Sequence, residues 1–216
     1  MYKHRDPTLG NKIGRCLFED LLTHSVSARY TQHVTSGAGV VNSYGRVQTP
    51  RDIRRNDSVF GKPPVGAATQ QGAGFLVPDG SVAEPRIGCE VKIIAKSQQK
   101  QIDRVINDLE GFARRMEHLN RRCINVAVVG VNHESDYVGH EGERTFRHAL
   151  KRQEPLKVEQ KLKERLIDLY DELLLFSFRA TNQPPYPFNW LNPDQIDLAY
   201  GAALTRVGVE YQRRFR

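Results

Sequence analysis

A nearly continuous apolar run, "INVAVVGV" at residues 124–131, constrains the fold of this chain more than any other segment. Its length is that of a strand, and the lack of polar alternation is typical of a strand buried on both faces. The segment between Ser97 and Leu119 carries apolar residues at steps of three and four, which predicts a long amphipathic helix. Because a helical crossover of this kind joins parallel strands, we expect an α/β core in which the strand at 124–131 runs parallel to a neighbour.

The residues that precede this helix predict two further strands and one further helix. Residues 74–79 and 87–95 both favour strands, and the polar turn between them favours a hairpin. Ser97, just after the second strand, is a good N-cap for the helix that follows. Residues 10–25 repeat apolar side chains at helical spacing and predict a helix at the start of the core.

The rest of the chain divides into a glycine-rich segment and a helical one. Residues 30–73 are polar and rich in glycine, so we expect long connections there, with short strands at most. Residues 155–178 and 194–214 predict helices that pack onto the core. We therefore expect a single domain over residues 1–216. Its predicted parts are a core at about 10–132, a glycine-rich insertion at 30–73 and a helical C-terminal extension at about 143–216.

Basic residues outnumber acidic ones, which permits a polyanionic partner without requiring one. Lys and Arg number 32 against 25 Asp and Glu, and the formal net charge is +7. Arginine suits such a partner because its planar guanidinium donates two hydrogen bonds to one phosphate. The clustered arginines are Arg54 and Arg55, Arg114 and Arg115, Arg121 and Arg122, and Arg213, Arg214 and Arg216. The alternative, that each pair is solvated surface charge, stays open.

The sequence carries no sign of a zinc site, a secretory signal or a membrane span. Its three cysteines, Cys16, Cys89 and Cys123, form no Cys-x-x-Cys motif, and their scatter favours a reducing compartment. The first residues, "MYKHRDPTLGNK", lack an apolar core, and no apolar run approaches the roughly 20 residues of a membrane helix. We expect a cytoplasmic protein with no membrane partner.

The predicted hairpin carries three charged residues, which are unusual in a sheet with a buried face because burying an unpaired charge is costly. Side chains alternate along a strand, so Glu90 and Lys92 share one face of the strand at 87–95. Asp79 ends the preceding strand, and the hairpin is expected to bring its carboxylate beside that of Glu90. Two adjacent carboxylates repel each other unless a cation lies between them, and Mg²⁺ prefers such oxygen ligands. With Lys92, which can orient a water or stabilise negative charge, they indicate a phosphodiester-cleaving centre. A charged hairpin face with an Asp-Gly turn is the alternative interpretation.

This arrangement resembles the PD-(D/E)xK nuclease superfamily. The matching residues are Pro78 and Asp79 in the first strand and Glu90, Val91 and Lys92 in the second. The surroundings are similar too, with a helix before the hairpin, a long helix after it and then a buried strand. The resemblance implies a restriction-endonuclease-like fold, which is a mixed central sheet flanked by helices, here with a helical C-terminal extension. It also implies Mg²⁺ as the cofactor, with Mn²⁺ as a substitute.

The resemblance further implies roles for individual residues. In that superfamily the residues at the positions of Asp79 and Glu90 bind the metal, with help from the main-chain carbonyl at the position of Val91. The residue at the position of Lys92 assists the attacking water. All four are therefore candidate site residues here.

Two further features of the superfamily match less well. Many members add a glutamate from the first helix, for which Glu19 is the candidate and Asp20 the rival. The RecB-like branch has a glutamine followed four residues later by a tyrosine on the helix after the hairpin. Neither Gln98 nor Gln101 is followed by a tyrosine at that spacing, which argues against this branch. A phosphate contact by Lys96, Gln98 or Gln101 is the alternative to a solvated helix start, which we favour.

A second concentration of polar residues, "NHESDYVGHEGER", follows the buried strand at residues 132–144. Its histidines and acids are His133, Glu134, Asp136, His140, Glu141 and Glu143. A histidine–metal nuclease site is one interpretation, although the spacing fits no established ligand pattern. Acidic residues also favour the N-terminus of a helix, so we expect this segment to border the cleft without taking part in the chemistry.

The resemblance thus implies a Mg²⁺-dependent DNA endonuclease and, within that class, a type II restriction endonuclease. Cleavage of a duplex by one site per chain favours a homodimer with two-fold symmetry, for which the C-terminal helices are the candidate interface. A junction-resolving or repair nuclease belongs to the same class. The alternative function is a non-catalytic nucleic-acid-binding or assembly module on the same fold. The intact set of Asp79, Glu90 and Lys92 favours the enzyme, because a pure binder has no use for two repelling carboxylates.

Overall fold

The computed structural model describes residues 7–42, 58–72, 74–139, 145–147 and 154–215. These residues form a mixed α/β structure in which a six-stranded mixed sheet is flanked by five helices. The helices are α1 (Pro7–Thr23), α2 (Ala28–Thr35), α3 (Gln98–Leu119), α4 (Glu154–Leu166) and α5 (Pro193–Arg214). The strands are β1 (Val40–Asn42), β2 (Ser58–Lys62), β3 (Glu84–Ile94), β4 (Ile124–Asn132), β5 (Asp136–Val138), β6 (Thr145–Arg147), β7 (Glu172–Ala180) and β8 (Phe188–Trp190). None of the described helices is long and apolar enough to cross a membrane.

The main sheet has the strand order β1-β2-β3-β4-β7-β8, while β5 and β6 pair separately. Its three central strands, β3, β4 and β7, run parallel, and the outer pairings are antiparallel. The predicted parallel pairing across a helical crossover is confirmed, because α3 links β3 to β4. Their ladder runs without interruption from the pair Ile87 and Ile124 to the pair Ile94 and Val131.

Apolar layers cover both faces of the sheet. The face that α3 and α4 cover holds one buried cluster, and the face that α1, α2 and α5 cover holds the other. Along β3 the side chains alternate between the two layers, so that Ile87 and Cys89 lie in the α1 layer and Ile94 in the α3 layer. Gly88 lies directly under Phe112 of α3, where a Cβ atom would come within 3.0 Å of the ring. The alternation therefore determines which charged side chains of β3 share a face.

Several sequence predictions are confirmed. The helices predicted at 10–25, after Ser97 and at 194–214 correspond to α1, α3 and α5, and the strands predicted at 87–95 and 124–131 correspond to β3 and β4. The capping mechanism at Ser97 differs from the prediction. Ser97 precedes α3 in a left-handed conformation (φ 48°), and its side chain makes no capping hydrogen bond.

The prediction of a strand at residues 74–79 is wrong. Around Asp79 the chain forms only single bridges, to Val41 of β1 and to Gln70. The antiparallel partner of β3 is instead β2, which comes from the glycine-rich insertion. Pro78 has no N–H to donate to a ladder, and Val77 buries its side chain in the α1 layer, so the segment docks as a loop.

Two further differences concern secondary structure outside the predicted core. The helix predicted at 155–178 ends as α4 at Leu166, and the residues after it form β7, which pairs in parallel with β4. The C-terminal extension is therefore not purely helical, since β7 and β8 both belong to the main sheet. Helix α2 was not predicted, although Ser27 caps it by accepting a hydrogen bond from the Tyr30 N–H at 3.2 Å.

We expect Gly88→Ala to lower the free energy of unfolding by about 1–3 kcal/mol, because the new methyl group meets Phe112 and Met116. Gly111→Ala, within α3, is the matched control. Only the Arg115 side chain lies within 4 Å of its added Cβ, so the higher helix propensity of alanine should stabilise the protein by about 0.5–1 kcal/mol. Urea unfolding measures both changes. Changes of the same sign and size would contradict the close contact of α3 with β3.

Candidate active site

Glu90 and Lys92 lie together on the face of β3 that is covered by α3. The Lys92 Nζ is 2.7 Å from Oε1 of Glu90 and 3.6 Å from Oδ2 of Asp108 on α3. The exposed fractions of these side chains rise outward, from 12% for Glu90 and 26% for Lys92 to 47% for Asp108. Solvent therefore reaches an acid–lysine–acid row at the edge of α3. The prediction that Glu90 and Lys92 share one face is confirmed.

This polar row interrupts an apolar layer. In the ladder with β4, Glu90 pairs with Ala127 and Lys92 pairs with Val129, and both of these β4 residues are fully buried. Burying a charge beside such neighbours is costly unless the charge is paired, which explains the short contact between the carboxylate and the ammonium. The two charged residues thus depart from the apolar pattern of the layer around them.

Asp79 does not lie beside Glu90. Its backbone bridges to Val41 of β1, so β1 and β2 both stand between Asp79 and β3. Three spacings between neighbouring strands correspond to about 14 Å across a sheet. The prediction that Asp79 and Glu90 lie on neighbouring strands is therefore wrong. The physical reason is that the loop containing Pro78 pairs with β1 rather than with β3.

Asp79 belongs instead to an ionic clamp formed by α1. The buried Arg15, whose side chain is 4% exposed, places Nη1 2.5 Å from Oδ1 of Asp79 and also donates a hydrogen bond to the Val77 carbonyl. Its guanidinium stacks 4.6 Å from the centroid of the Phe75 ring. Two features of the sequence could have predicted this clamp. Arg15 and Glu19 form an i,i+4 pair, and Arg15 lies on an otherwise apolar face of α1.

Glu19 acts in the same clamp. Its carboxylate accepts hydrogen bonds from the N–H groups of Leu76 at 2.8 Å and Val77 at 2.9 Å. Helix α1 packs on the face of the sheet opposite Lys92, so Glu19 is not brought together with Glu90. Its rival Asp20 accepts a hydrogen bond at 2.6 Å from the hydroxyl of Tyr200 on α5. Both acids thus tie α1 to other elements.

The remaining candidates around the hairpin have structural contacts. Val91 lies between Glu90 and Lys92, and its side chain packs in the α1 layer. Gln98 is fully buried and donates to the Asn132 carbonyl at 2.5 Å, so its predicted place in a solvated helix start is wrong. Gln101 donates to the Lys96 carbonyl at 2.9 Å.

The segment after β4 is only partly described, since His140, Glu141 and Glu143 lie outside the described residues. His133 contacts Glu159 of α4, with Nε2 2.7 Å from Oε1, and the Ser177 hydroxyl donates to the same oxygen at 2.7 Å. Burial raises the pKa of Glu159, but the hydrogen bonds from His133 and Ser177 outweigh it and hold that pKa below its usual range. His133 thus links the residue after β4 to α4, and its described contact is with Glu159 and not with Lys92.

Few of the predicted metal ligands come together in the part of the chain that is described. Those residues contain no group of three or more histidines, cysteines or acids that could hold a metal ion. Glu90 is the one predicted carboxylate ligand that lies beside Lys92. Ser58, the first residue of β2, pairs with Cys89, which directly precedes Glu90. In the sequence Ser58 follows Asp57, which lies outside the described residues.

Comparison with known proteins adds no family: no protein-family model, curated protein or solved structure matches this chain. A lysine between two acids at a solvent-reachable edge can hold or release a proton, orient a water molecule or neutralise an anion. Asp108 is the residue of this row that the sequence predictions missed, because only the packing of α3 on β3 brings it near Lys92.

We expect Asp79→Asn to lower the free energy of unfolding by about 1–3 kcal/mol, because it removes the closer of the two carboxylates that pair with the buried Arg15 and leaves only Glu19, 3.5 Å away. The lower part of this range is favoured by the 28% exposure of Asp79. Asp108→Asn, at a half-exposed position, is the control and should change stability by less than about 0.5 kcal/mol. Urea unfolding at neutral pH measures both. Equal effects would contradict the clamp.

Proposed function

We propose that this protein is a Mg²⁺-dependent nuclease that hydrolyses phosphodiester bonds in DNA, with Glu90 and Lys92 at its centre. One observation carries the proposal: the two side chains project together from β3, 2.7 Å apart, at an edge that solvent reaches. The order of elements supports it, since α1 precedes three antiparallel strands and α3 then crosses to the parallel β4. This order fits the restriction-endonuclease-like fold that the Glu90-Val91-Lys92 motif implies, and a type II restriction endonuclease is the corresponding activity.

The metal ligands expected from the resemblance fit this structure only in part. Glu90 and the main-chain carbonyl of Val91 would hold a Mg²⁺ ion, whereas Asp79 is committed to Arg15. A bound Mg²⁺ would polarise the phosphate and lower the pKa of a coordinated water. The other carboxylate that the described residues bring to this row is Asp108 of α3, whose Oδ2 is 3.6 Å from the Lys92 Nζ.

Lys92 has the position of a residue that acts on the attacking water or on the developing negative charge. Its ammonium lies between the carboxylates of Glu90 and Asp108, so it is held in place before substrate arrives. A preorganised positive charge stabilises a pentacoordinate phosphate more than the ground state, because it needs no reorganisation when the charge develops. Asp108 is a positioning residue for this ammonium, since it contacts Lys92 from α3.

The decisive experiment is a cleavage assay on supercoiled and linear DNA with and without Mg²⁺, at matched DNA occupancy. We expect Lys92→Ala to lower the cleavage rate by on the order of 10²-fold or more while DNA binding persists. Lys157→Ala is the matched control, because Lys157 is an exposed lysine on α4. Glu90→Gln should abolish Mg²⁺-dependent cleavage.

Asp79→Asn distinguishes this proposal from the sequence prediction that Asp79 binds the metal. Measured below its unfolding temperature, it should keep a cleavage rate close to that of the unaltered protein, because Asp79 lies away from Glu90. Equal rates for Lys92→Ala and Lys157→Ala would refute the proposed centre. DNA binding with no cleavage in Mg²⁺ or Mn²⁺ would favour a non-catalytic binding module instead.

The proposal also predicts how DNA binding depends on salt. Arg104 is exposed one helical turn before Asp108 on α3, so it borders the row that contains Lys92. The affinity should fall with salt with a logarithmic slope near −0.9 for each phosphate neutralised, and Arg104→Ala should reduce that slope by about one contact. Arg121→Ala, beyond the far end of α3, is the control. An affinity independent of salt, or equal losses for both variants, would contradict a phosphate-binding role for this edge.

A further inference from the structure

A β-bulge near the start of β3 redirects the side chain of Arg86. In the ladder with β2, Phe60 pairs with Ile87, whereas the next residue of β2, Gly61, pairs with Pro85. Arg86 is therefore the extra residue of the bulge, a feature that changes the direction of a side chain and is common beside functional sites. Its guanidinium reaches α2 and α5, on the same side of the sheet as the buried Ile87.

Both hydrogen-bond partners of this guanidinium are uncharged at neutral pH. Nη1 of Arg86 lies 2.8 Å from Nδ1 of His33 on α2 and 3.2 Å from the hydroxyl of Tyr211 on α5. Burial, together with the charges of Arg86 and Arg29, lowers the pKa of His33 to about 4. Burial raises the pKa of Tyr211 to about 12, against the opposing effect of Arg86. The positive charge of Arg86 is thus balanced by neither partner.

No acid compensates this charge within the part of the chain that is described. Arg86 forms no ion pair with a described residue, and its Nε is buried without a hydrogen-bond partner among them. Glu84, two residues earlier on β3, is exposed and acts electrostatically on Tyr211 without pairing with the guanidinium. A half-buried cation with no counter-charge is costly, and an anion bound beside it would offset that cost.

Further donors lie around the same guanidinium. Arginine can only donate, so Nδ1 of His33 accepts and the ring proton is on Nε2. Arg29 lies one turn before His33 on α2, so the two side chains share one face of that helix. The guanidinium carbons of Arg86 and Arg122 lie 5.6 Å and 5.5 Å from the centroid of one ring, that of Phe215. Neither Arg29 nor Arg122 forms an ion pair with any residue that the structure describes.

We propose that Arg86, Arg29 and the Nε2–H of His33 form a binding site for an oxyanion of the phosphate class. A planar guanidinium suits this class, because it can donate two hydrogen bonds to one phosphate group. A nucleic-acid backbone and a free phosphate compound offer the same group, and the experiment below distinguishes them. Lys92 lies six residues further along β3, roughly 20 Å away, and on the other face of the sheet. The proposal is therefore independent of the nuclease proposal.

Titration of the full chain with inorganic phosphate at pH 7 tests the site, with the NMR signal of the His33 ring as the readout. The signal, assigned with His33→Gln, should shift with phosphate and not with chloride at equal ionic strength. Arg86→Gln should weaken phosphate binding by about tenfold or more, and Arg29→Gln should weaken it several-fold. Arg114→Gln is the matched control, because it removes the same charge from a side chain on α3 that is 72% exposed, and it should leave the affinity unchanged.

A short DNA duplex distinguishes the two sources of the phosphate group. If the source is the DNA backbone, Arg86→Gln and Arg29→Gln should weaken duplex binding more than Arg114→Gln does. If it is a free phosphate compound, the three variants should bind the duplex equally while the first two lose phosphate affinity. Either result supports the oxyanion site.

Two results would overturn the proposal. One is a His33 signal that responds to chloride as it does to phosphate. The other is a phosphate affinity that Arg86→Gln and Arg29→Gln lower no more than Arg114→Gln does. Thermal unfolding shows which variants are folded, and the exposed Arg29→Gln decides the comparison if Arg86→Gln is not.

Discussion

The parallel ladder between β3 and β4 is the constraint on which the rest of the structure depends. Every residue of β4 except Gly130 is buried, so its backbone groups have to be satisfied by the strands on either side. That requirement draws β3 to one side and β7 to the other and leaves α3 and α4 as the crossovers that cover one face. The position of α3 then decides which part of β3 is sealed and which part reaches solvent.

The candidate site is a polar interruption within this covering layer, because Gly88 before it and Ile94 after it are both buried under α3. Gly88 is covered by the Phe112 ring of α3. Further along β3, Lys92, which pairs with Glu90, contacts Asp108 of α3. A well-packed apolar pair at these positions would be at least as stable as an ion pair. A sequence that keeps charged residues at such positions departs from the pattern of its own core, and departures of this kind concentrate at functional sites.

The clamp of Arg15, Glu19 and Asp79 gives a structural role to two acids that the sequence motif assigns to a metal site. A proline followed by an aspartate, with ten residues between that aspartate and a glutamate, has the appearance of a nuclease motif in the sequence. In the fold, the same aspartate compensates the charge of a buried arginine, and the first-helix glutamate caps two backbone N–H groups of the same loop. Both acids hold the loop at residues 75–79 against α1, which is a stabilising role with its own physical explanation.

The sequence by itself determined the elements whose signal is local. The apolar spacing of α1, α3 and α5, the unbroken run of β4 and the alternation that places Glu90 beside Lys92 all depend on residues close together in the chain. Only the tertiary structure decided which strand pairs with β3, that residues 172–180 extend the sheet, and where Asp79 lies. These choices depend on competition between distant segments for the same backbone groups. Leu173 and Phe176 suit either a helix or a strand, and the free edge of β4 selects the strand.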